Sequence, residues 1–256
     1  MPGTTVADAQ DRAPGLVEQH AAGTLSGHLA ALQLADSAFP SGRYTLSHGV
    51  EGLAQQGYLH GPRLPQQLLE HLATNIRFGA GPSDGTALAW AYRSVNDAHV
   101  DLVTTIEVDQ RLTGTKLARE PREGSHRTGR ALLRTAAAVF PYQAVLEYDA
   151  AVRDGATPGN HAVAMGVISA CTQIPMAQAV AAELFTLASG WLSAAVRLNL
   201  INHHQAQALL NHVRPPIAEA TGEACSRQAG QIVSCTPLLD VVSMRHEEAQ
   251  LRLFAN

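Results

Sequence analysis

Residues 177–196 read AQAVAAELFTLASGWLSAAV, and the fold class turns on whether this stretch crosses a bilayer or fills a core. Its length admits a membrane, because a spanning helix needs about 20 predominantly apolar residues. Its composition argues the other way. More than half of the positions are Ala, Ser, Thr or Gly, which insert weakly. The single charge, Glu183, would cost about 3 kcal/mol near the bilayer centre. The stretch therefore reads as the buried central helix of a soluble protein, opened by Pro175.

Helical spacing extends outward from this stretch in both directions. Upstream, Leu25, Leu29 and Leu32 share one face, and Leu46, Val50 and Leu53 share another that Gly57 can end. Leu64, Leu68, Leu72 and Ile76 form a third stripe. Pro82-Ser83-Asp84 reads as the start of a helix reaching Val95. Further helices are expected near 99–112, 115–139, 141–154 and 159–174, the last opened by Gly159-Asn160. Downstream, 204–213, 216–230 and 237–250 complete the set. No sustained alternation and no Asn-Gly hairpin supports a strand. The expectation is an all-α fold, a single domain of about ten helices over residues 25–256. Residues 1–24, rich in Gly, Pro, Ala, Thr and Asp without apolar periodicity, read as a mobile, disordered tail.

Composition supports this and excludes several functions. Apolar residues make up 46% of the chain, enough for a core, and only 5% are aromatic, so aliphatic side chains must fill it. The net charge of −4 lacks the basic surplus of a nucleic-acid binder. Arg119, Arg122, Arg127, Arg130 and Arg134 read as a solvated helix face rather than a phosphate-binding stripe. Three cysteines, Cys171, Cys225 and Cys235, without a CxxC pair fit a reducing cytoplasm better than a disulfide framework. No apolar signal segment precedes the first helix.

The usual catalytic signatures are missing. The lone lysine, Lys116, follows Thr115 and lies outside any P-loop pattern. No G-x-G-x-x-G follows a strand, and no G-x-S-x-G elbow is present. His246-Glu247-Glu248-Ala249-Gln250 has Gln where a zinc-protease helix carries its second His, so the two-histidine grip is broken. His203 and His204 are adjacent on a helix, about 100° apart, and chelate poorly together.

The densest unusual segment is Asp36-Ser37-Ala38-Phe39-Pro40-Ser41-Gly42-Arg43-Tyr44-Thr45-Leu46-Ser47-His48-Gly49-Val50-Glu51, a Pro/Gly loop between two amphipathic helices. It resembles the signature of the UreF family of urease accessory proteins: F-P-x-G, an aromatic, then S-x-G-[LV]-E. Three further stretches agree in order. Gly159-Asn160-His161 resembles a G-x-H helix opening. Ser193-Ala194-Ala195-Val196-Arg197-Leu198, with Gln207 and Leu210 downstream, resembles A-A-V-R-L followed by Gln and Leu. Asp240 to Glu247, then Leu251-Arg252-Leu253-Phe254, resembles S-M-x-H-E and R-L-F. The likeness spans about residues 30–254. Arg43 stands where a small residue is usual, and Leu200, Asn202 and His203 where a P-L-G-Q-like turn is usual.

The resemblance implies an all-α adaptor rather than an enzyme, without catalytic residues, a tightly bound cofactor or a metal site of its own. It implies a cytoplasmic homodimer bound by UreD (UreH), which recruits the GTPase UreG and docks on apo-urease. Nickel then passes through the assembled complex. It gives Pro40, Gly42, Tyr44, Ser47, Gly49, Glu51, Arg197, Gln207, Met244, His246, Glu247, Arg252, Leu253 and Phe254 as the partner-binding set. On this reading Glu51 and the Pro40–Gly42 turn belong to an ordered surface or interface. The last twenty residues are a partner-binding element rather than core. Two rival readings stand beside it: a metal-dependent hydrolase using His161, His203, His204 or His246, and a helical interaction protein unrelated to urease.

Overall fold

A computed structural model of the chain describes residues 16–36, 38–249, 253 and 254, with residues 16–24 and Tyr44 as backbone only. The described residues form one all-α domain of twelve α-helices with one two-stranded hairpin. Helix α1 (Leu16–Ala35) begins inside the segment expected to be a tail. Residues 1–15 of that segment lie outside the described residues. Leu25, Leu29 and Leu32 do share a face, but it points outward, each being more than half exposed. The helix lies on the body through Leu34 and Gly27 instead. A Cβ on Gly27 would stand 2.4 Å from the Gln173 carbonyl oxygen, so only glycine lets α1 come this close.

The Pro/Gly loop carries a short 3-10 turn (Arg43–Thr45) and enters α2 (Val50–Gln55). This helix starts four residues later than the Leu46 stripe suggests. His48 and Gly49 both adopt positive φ, 52° and 95°, which no right-handed helix contains. Beyond it, α3 (Leu64–Asn75) does not end before Pro82. It widens into a π-helical stretch (Ile76–Gly85) and continues as α4 (Thr86–Arg93), one unbroken helical path. Proline normally clashes with the carbonyl four residues back. The wider winding accommodates Pro82 inside the path rather than at its start. Small residues there let other helices approach: a Cβ on Gly85 would meet Ala224 Cβ at 3.1 Å and Val180 Cγ1 at 3.3 Å.

A two-residue-per-strand hairpin, β1 (Val95–Asn96) and β2 (His99–Val100), follows and corrects the expectation of no strands. Its turn residues Asp97 and Ala98 both have positive φ, the geometry that Asn-Gly usually signals. Alanine adopts it here while the Ala98 carbonyl accepts from the Ala144 amide at 2.9 Å. Helix α5 (Leu102–Thr115) is capped by Asp101, whose side chain accepts from the Val103 and Thr104 amides. Helices α6 (Arg119–Val139), α7 (Gln143–Arg153) and α8 (His161–Cys171) come next. Every residue from His161 to Ser169 is buried, so α8 is an inner helix.

Helix α9 (Met176–Arg197) contains the apolar stretch 177–196. It is long and apolar enough to cross a bilayer, yet half of its most apolar window is buried inside the protein. Val180, Leu184, Ala188, Trp191 and Ala195 are completely or almost completely covered. Helices α10 (His203–His212), α11 (Arg214–Ser226) and α12 (Pro237–His246) close the chain. Asn202 opens α10 with a capping box shared with Gln205.

Candidate functional site

The site is built around a buried carboxylate that sequence reading passed over. Asp109 of α5 is fully buried. One of its oxygens accepts from Tyr148 Oη (3.0 Å), Thr157 Oγ1 (2.6 Å) and the Gly159 amide (2.7 Å). The other accepts from the Asn160 amide (2.9 Å) and Asn160 Nδ2 (2.7 Å). A buried carboxylate is tolerated only when donors saturate it. Here all but Tyr148 come from the turn that opens α8, so Asp109 fixes Gly159 and Asn160 and thereby aims His161. Glycine is required at 129 for the same junction, because a Cβ there would sit 2.1 Å from the Gly159 carbonyl oxygen.

His161 meets α9 and the Pro/Gly loop. Arg43 Nη1 lies 2.7 Å from Glu183 Oε2, and His161 Nδ1 lies 3.4 Å from the same oxygen. Burial alone would raise the Glu183 carboxyl, but Arg43 and His161 outweigh it and hold the group well below the usual carboxylate range. Burial, reinforced by Arg43, lowers His161. The same two causes lower the His48 imidazole to about 3, so it is neutral at ordinary pH. Nearby, Lys116 Nζ pairs with Asp84 at 2.8 Å, and Ser83 Oγ donates to Asp84 at 2.9 Å. Two cavities flank Arg43, His48 and His161. One, of about 150 Å³, opens toward Asp84, Lys116 and Asp240. The other, of about 270 Å³, runs between Phe39–Gly42 and the Ser189, Ser193 and Arg197 side of α9.

The C-terminal segment docks beside this cleft. Helix α12 lies across α2 at two glycines. A Cβ on Gly52 would stand 3.0 Å from the Val242 carbonyl oxygen, and one on Gly49 would be 3.6 Å from Leu239 Cδ2. His246, 2% exposed, sits between two buried carboxylates: Nδ1 is 2.7 Å from Glu120 Oε2 and Nε2 is 3.0 Å from Glu51 Oε2. The second contact is a close approach off the line of a hydrogen bond. Glu247 Oε1 accepts from the Arg119 amide at 2.6 Å and the Glu120 amide at 3.3 Å, a carboxylate on the positive end of α6. Glu51 also accepts from the Leu253 amide (2.8 Å) and the Phe254 amide (3.2 Å). The Phe254 ring lies under the Arg197 guanidinium at 4.2 Å.

The four stretches singled out in the sequence thus converge. Phe39, Pro40, Gly42, His161, Ser193 and Arg197 line one cleft, and Phe254 packs on its Arg197 edge. Pro40, Gly42, Gln207, Met244 and Leu253 are exposed, whereas Ser47, Gly49, Glu51, His246 and Phe254 are buried and Glu247 is half-buried. Gln207 lines a separate groove between α9 and α10. Arg252 and the Tyr44 side chain lie outside the described residues.

Two expectations need correction. Glu51, at 2% exposure, is not a surface group. The segment from Pro237 onward is not free of the body: Val242, His246 and Phe254 are buried in it. Asp109, Glu120 and His48 were missed because isolated polar residues on helical faces carry no spacing signal. Glu183 did carry one, a lone charge in an apolar run, which implies a buried partner as well as a poor membrane helix. The histidines of the hydrolase reading stand apart. His161 and His246 belong to different ion-paired clusters, and His203 and His204 are exposed on α10. Among the described residues, no group of three or more His, Cys, Asp or Glu is arranged to hold a metal ion.

Comparison with known proteins gives the family. The family model described as UreF matches residues 63–214. Urease accessory protein UreF of Trichodesmium erythraeum is 32% identical over 232 residues, covering 91% of this chain and 98% of its own. Urease accessory protein UreF of an Arthrobacter species is 30% identical, covering 90% and 97%. Urease accessory protein UreF 2 of Brucella canis is 28% identical, covering 91% and 93%. With likeness at this level across nearly the whole of both chains, the protein belongs to the UreF family of urease accessory proteins.

Proposed function

We propose that the protein serves urease maturation as a non-catalytic adaptor. As a cytoplasmic homodimer it binds UreD (UreH), the pair recruits the GTPase UreG, and the assembly docks on apo-urease. Nickel is the cargo, delivered as UreG hydrolyses GTP, and the adaptor holds no metal of its own. The observation that carries this reading is the convergence of four sequence-distant stretches on one cleft and its docked C-terminal segment. Arg43 on its wall is paired with Glu183, and Lys116 is paired with Asp84 in the neighbouring cavity. Affinity capture of the tagged chain co-expressed with UreD, UreG and the urease subunits tests it. UreD and UreG should co-purify, and urease activity should depend on the chain. Full urease activation without the chain, or failure to retain UreD, would overturn the reading.

A further inference from the structure

The Pro/Gly loop packs on the body through Phe39 and Leu46, which are buried at its two ends. Between them it bonds mostly to itself: the Ser41 amide donates to the Phe39 carbonyl, Thr45 Oγ1 to the Gly42 carbonyl and the Leu46 amide to the Arg43 carbonyl. Among the described residues 38–43, 45 and 46, only Arg43 makes a hydrogen bond or ion pair to a distant part of the chain. A single nitrogen makes these contacts. Nη1 donates to Glu183 Oε2 at 2.7 Å and reaches His161 Nδ1 at 3.4 Å, and that ring nitrogen lies 3.4 Å from the same carboxylate oxygen. While Arg43 donates to it, Nδ1 carries no proton. A proton there would turn the acceptor into a donor facing another donor, and would give Glu183 a second cation within reach. The turn also has room to move, since a Cβ on Gly42 would meet nothing within 4 Å.

We propose that this triangle is a proton-sensitive clasp: a proton on His161 Nδ1 and the Arg43 guanidinium are alternative partners for Glu183, so protonation of His161 releases Arg43 and frees the loop from α8 and α9. The proton comes from solvent through the cavities that both touch His161, and no covalent bond other than N–H is made. With Arg43 in place, burial and then the guanidinium hold His161 below its ordinary value of 6.5, while Glu183 and Asp84 act in the opposite sense. Release removes a lowering cause and leaves Glu183, so the released state binds the proton more tightly than the clasped one. The clasp therefore holds at high pH and loosens, by at most about tenfold per pH unit, as pH falls toward the His161 titration. Of the other groups facing this cluster, Glu183 is held well below the usual carboxylate range and stays charged, and His48 gains a proton only near 3. Lys116 and Asp84 are paired with each other. The contact from α6, Ser125 Oγ accepting the His161 amide, carries no charge.

Two NMR signals of the full chain test this. Hydrogen exchange at the Leu46 amide, which closes the turn on the Arg43 carbonyl, reads the clasp, and the His161 ring carbons read the proton. From about pH 7.5 to about pH 5.5 the Leu46 protection factor, corrected for intrinsic exchange, should fall at least about tenfold in the wild type, with a midpoint matching the His161 titration. His161→Gln keeps a neutral acceptor that cannot be protonated, so its Leu46 protection should not change with pH. Arg43→Gln should raise the His161 titration and leave Leu46 poorly protected throughout. A pH-independent protection factor in the wild type would overturn the clasp. So would wild-type pH dependence in His161→Gln, or an unmoved His161 titration in Arg43→Gln. Should a variant fail to fold, the wild type decides alone, since Leu46 exchange and His161 protonation must share one midpoint. No partner protein enters these measurements, so their failure leaves the adaptor reading intact.

Discussion

Asp109 shows how much one side chain can fix. Its five donors come from α7 and the 157–160 turn, so it joins these two segments to α5 through one buried charge. Asp109→Asn keeps the shape but turns one acceptor toward N–H and O–H donors. Breaking a buried charged network typically costs about 3–5 kcal/mol. Urea denaturation should show a loss of that order, with the midpoint shifted and the slope unchanged. A change below about 1 kcal/mol would mean that the network carries little of the fold. The histidines set a pH dependence. Unfolded, they gain a proton near 6.5; folded, His48 does so only near 3, because burial and Arg43 oppose its charge. Above about pH 6.5 it costs nothing. As pH falls from there toward 3, the unfolded state binds the extra proton, and stability drops by up to about 1.4 kcal/mol per pH unit. Denaturation between pH 4 and 6 should therefore show a shallower slope in His48→Gln than in the wild type. Little of this was legible in the chain. Asp109, His48 and Glu120 occupy ordinary helical or loop positions, and only folding brings their partners within reach.

At the scale of elements, the sequence was a better guide wherever one helix face decides burial. The stripe Leu64, Leu68, Leu72, Ile76 and the apolar run of α9 pack as their spacing requires. It failed where the backbone departs from the α-helical norm. Pro82 sits in a π-helical stretch that links α3 to α4, and nothing in a proline signals that wider winding. It also failed for α1, whose leucine stripe faces out while Gly27 faces in. Helix α12 gives a prediction of this kind. Only Val242 and His246 of its ten residues are buried, but Val242 packs against Gly52 and Leu239 against Gly49. Deleting residues 237–256 should leave a helical protein that melts lower, since each large apolar side chain uncovered costs about 1.5–3 kcal/mol. The same truncation should abolish UreD capture. Calorimetry checks the first outcome and affinity capture the second; an unchanged melting temperature would show that the docked segment adds nothing to the fold.

For the whole molecule, the all-α class and the accessory family were legible from four ordered stretches, while their meeting point was not, because order along a chain says nothing of proximity. The chain alone should hydrolyse neither GTP nor ATP. Its only lysine, Lys116, is held by Asp84 in a cavity wall with no phosphate-binding loop around it. Phosphate release by the purified chain should match buffer, and turnover that survives further purification would sink this expectation. The bond from Glu51 to Leu253 also has a consequence in time. It joins residues 202 positions apart, so a ribosome adding about 5–20 residues per second needs roughly 10–40 s to supply the second after the first. Throughout that interval the α2 carboxylate lacks its two backbone donors at 253 and 254. Until residues 253 and 254 emerge, the nascent protein lacks the tie that joins them to α2.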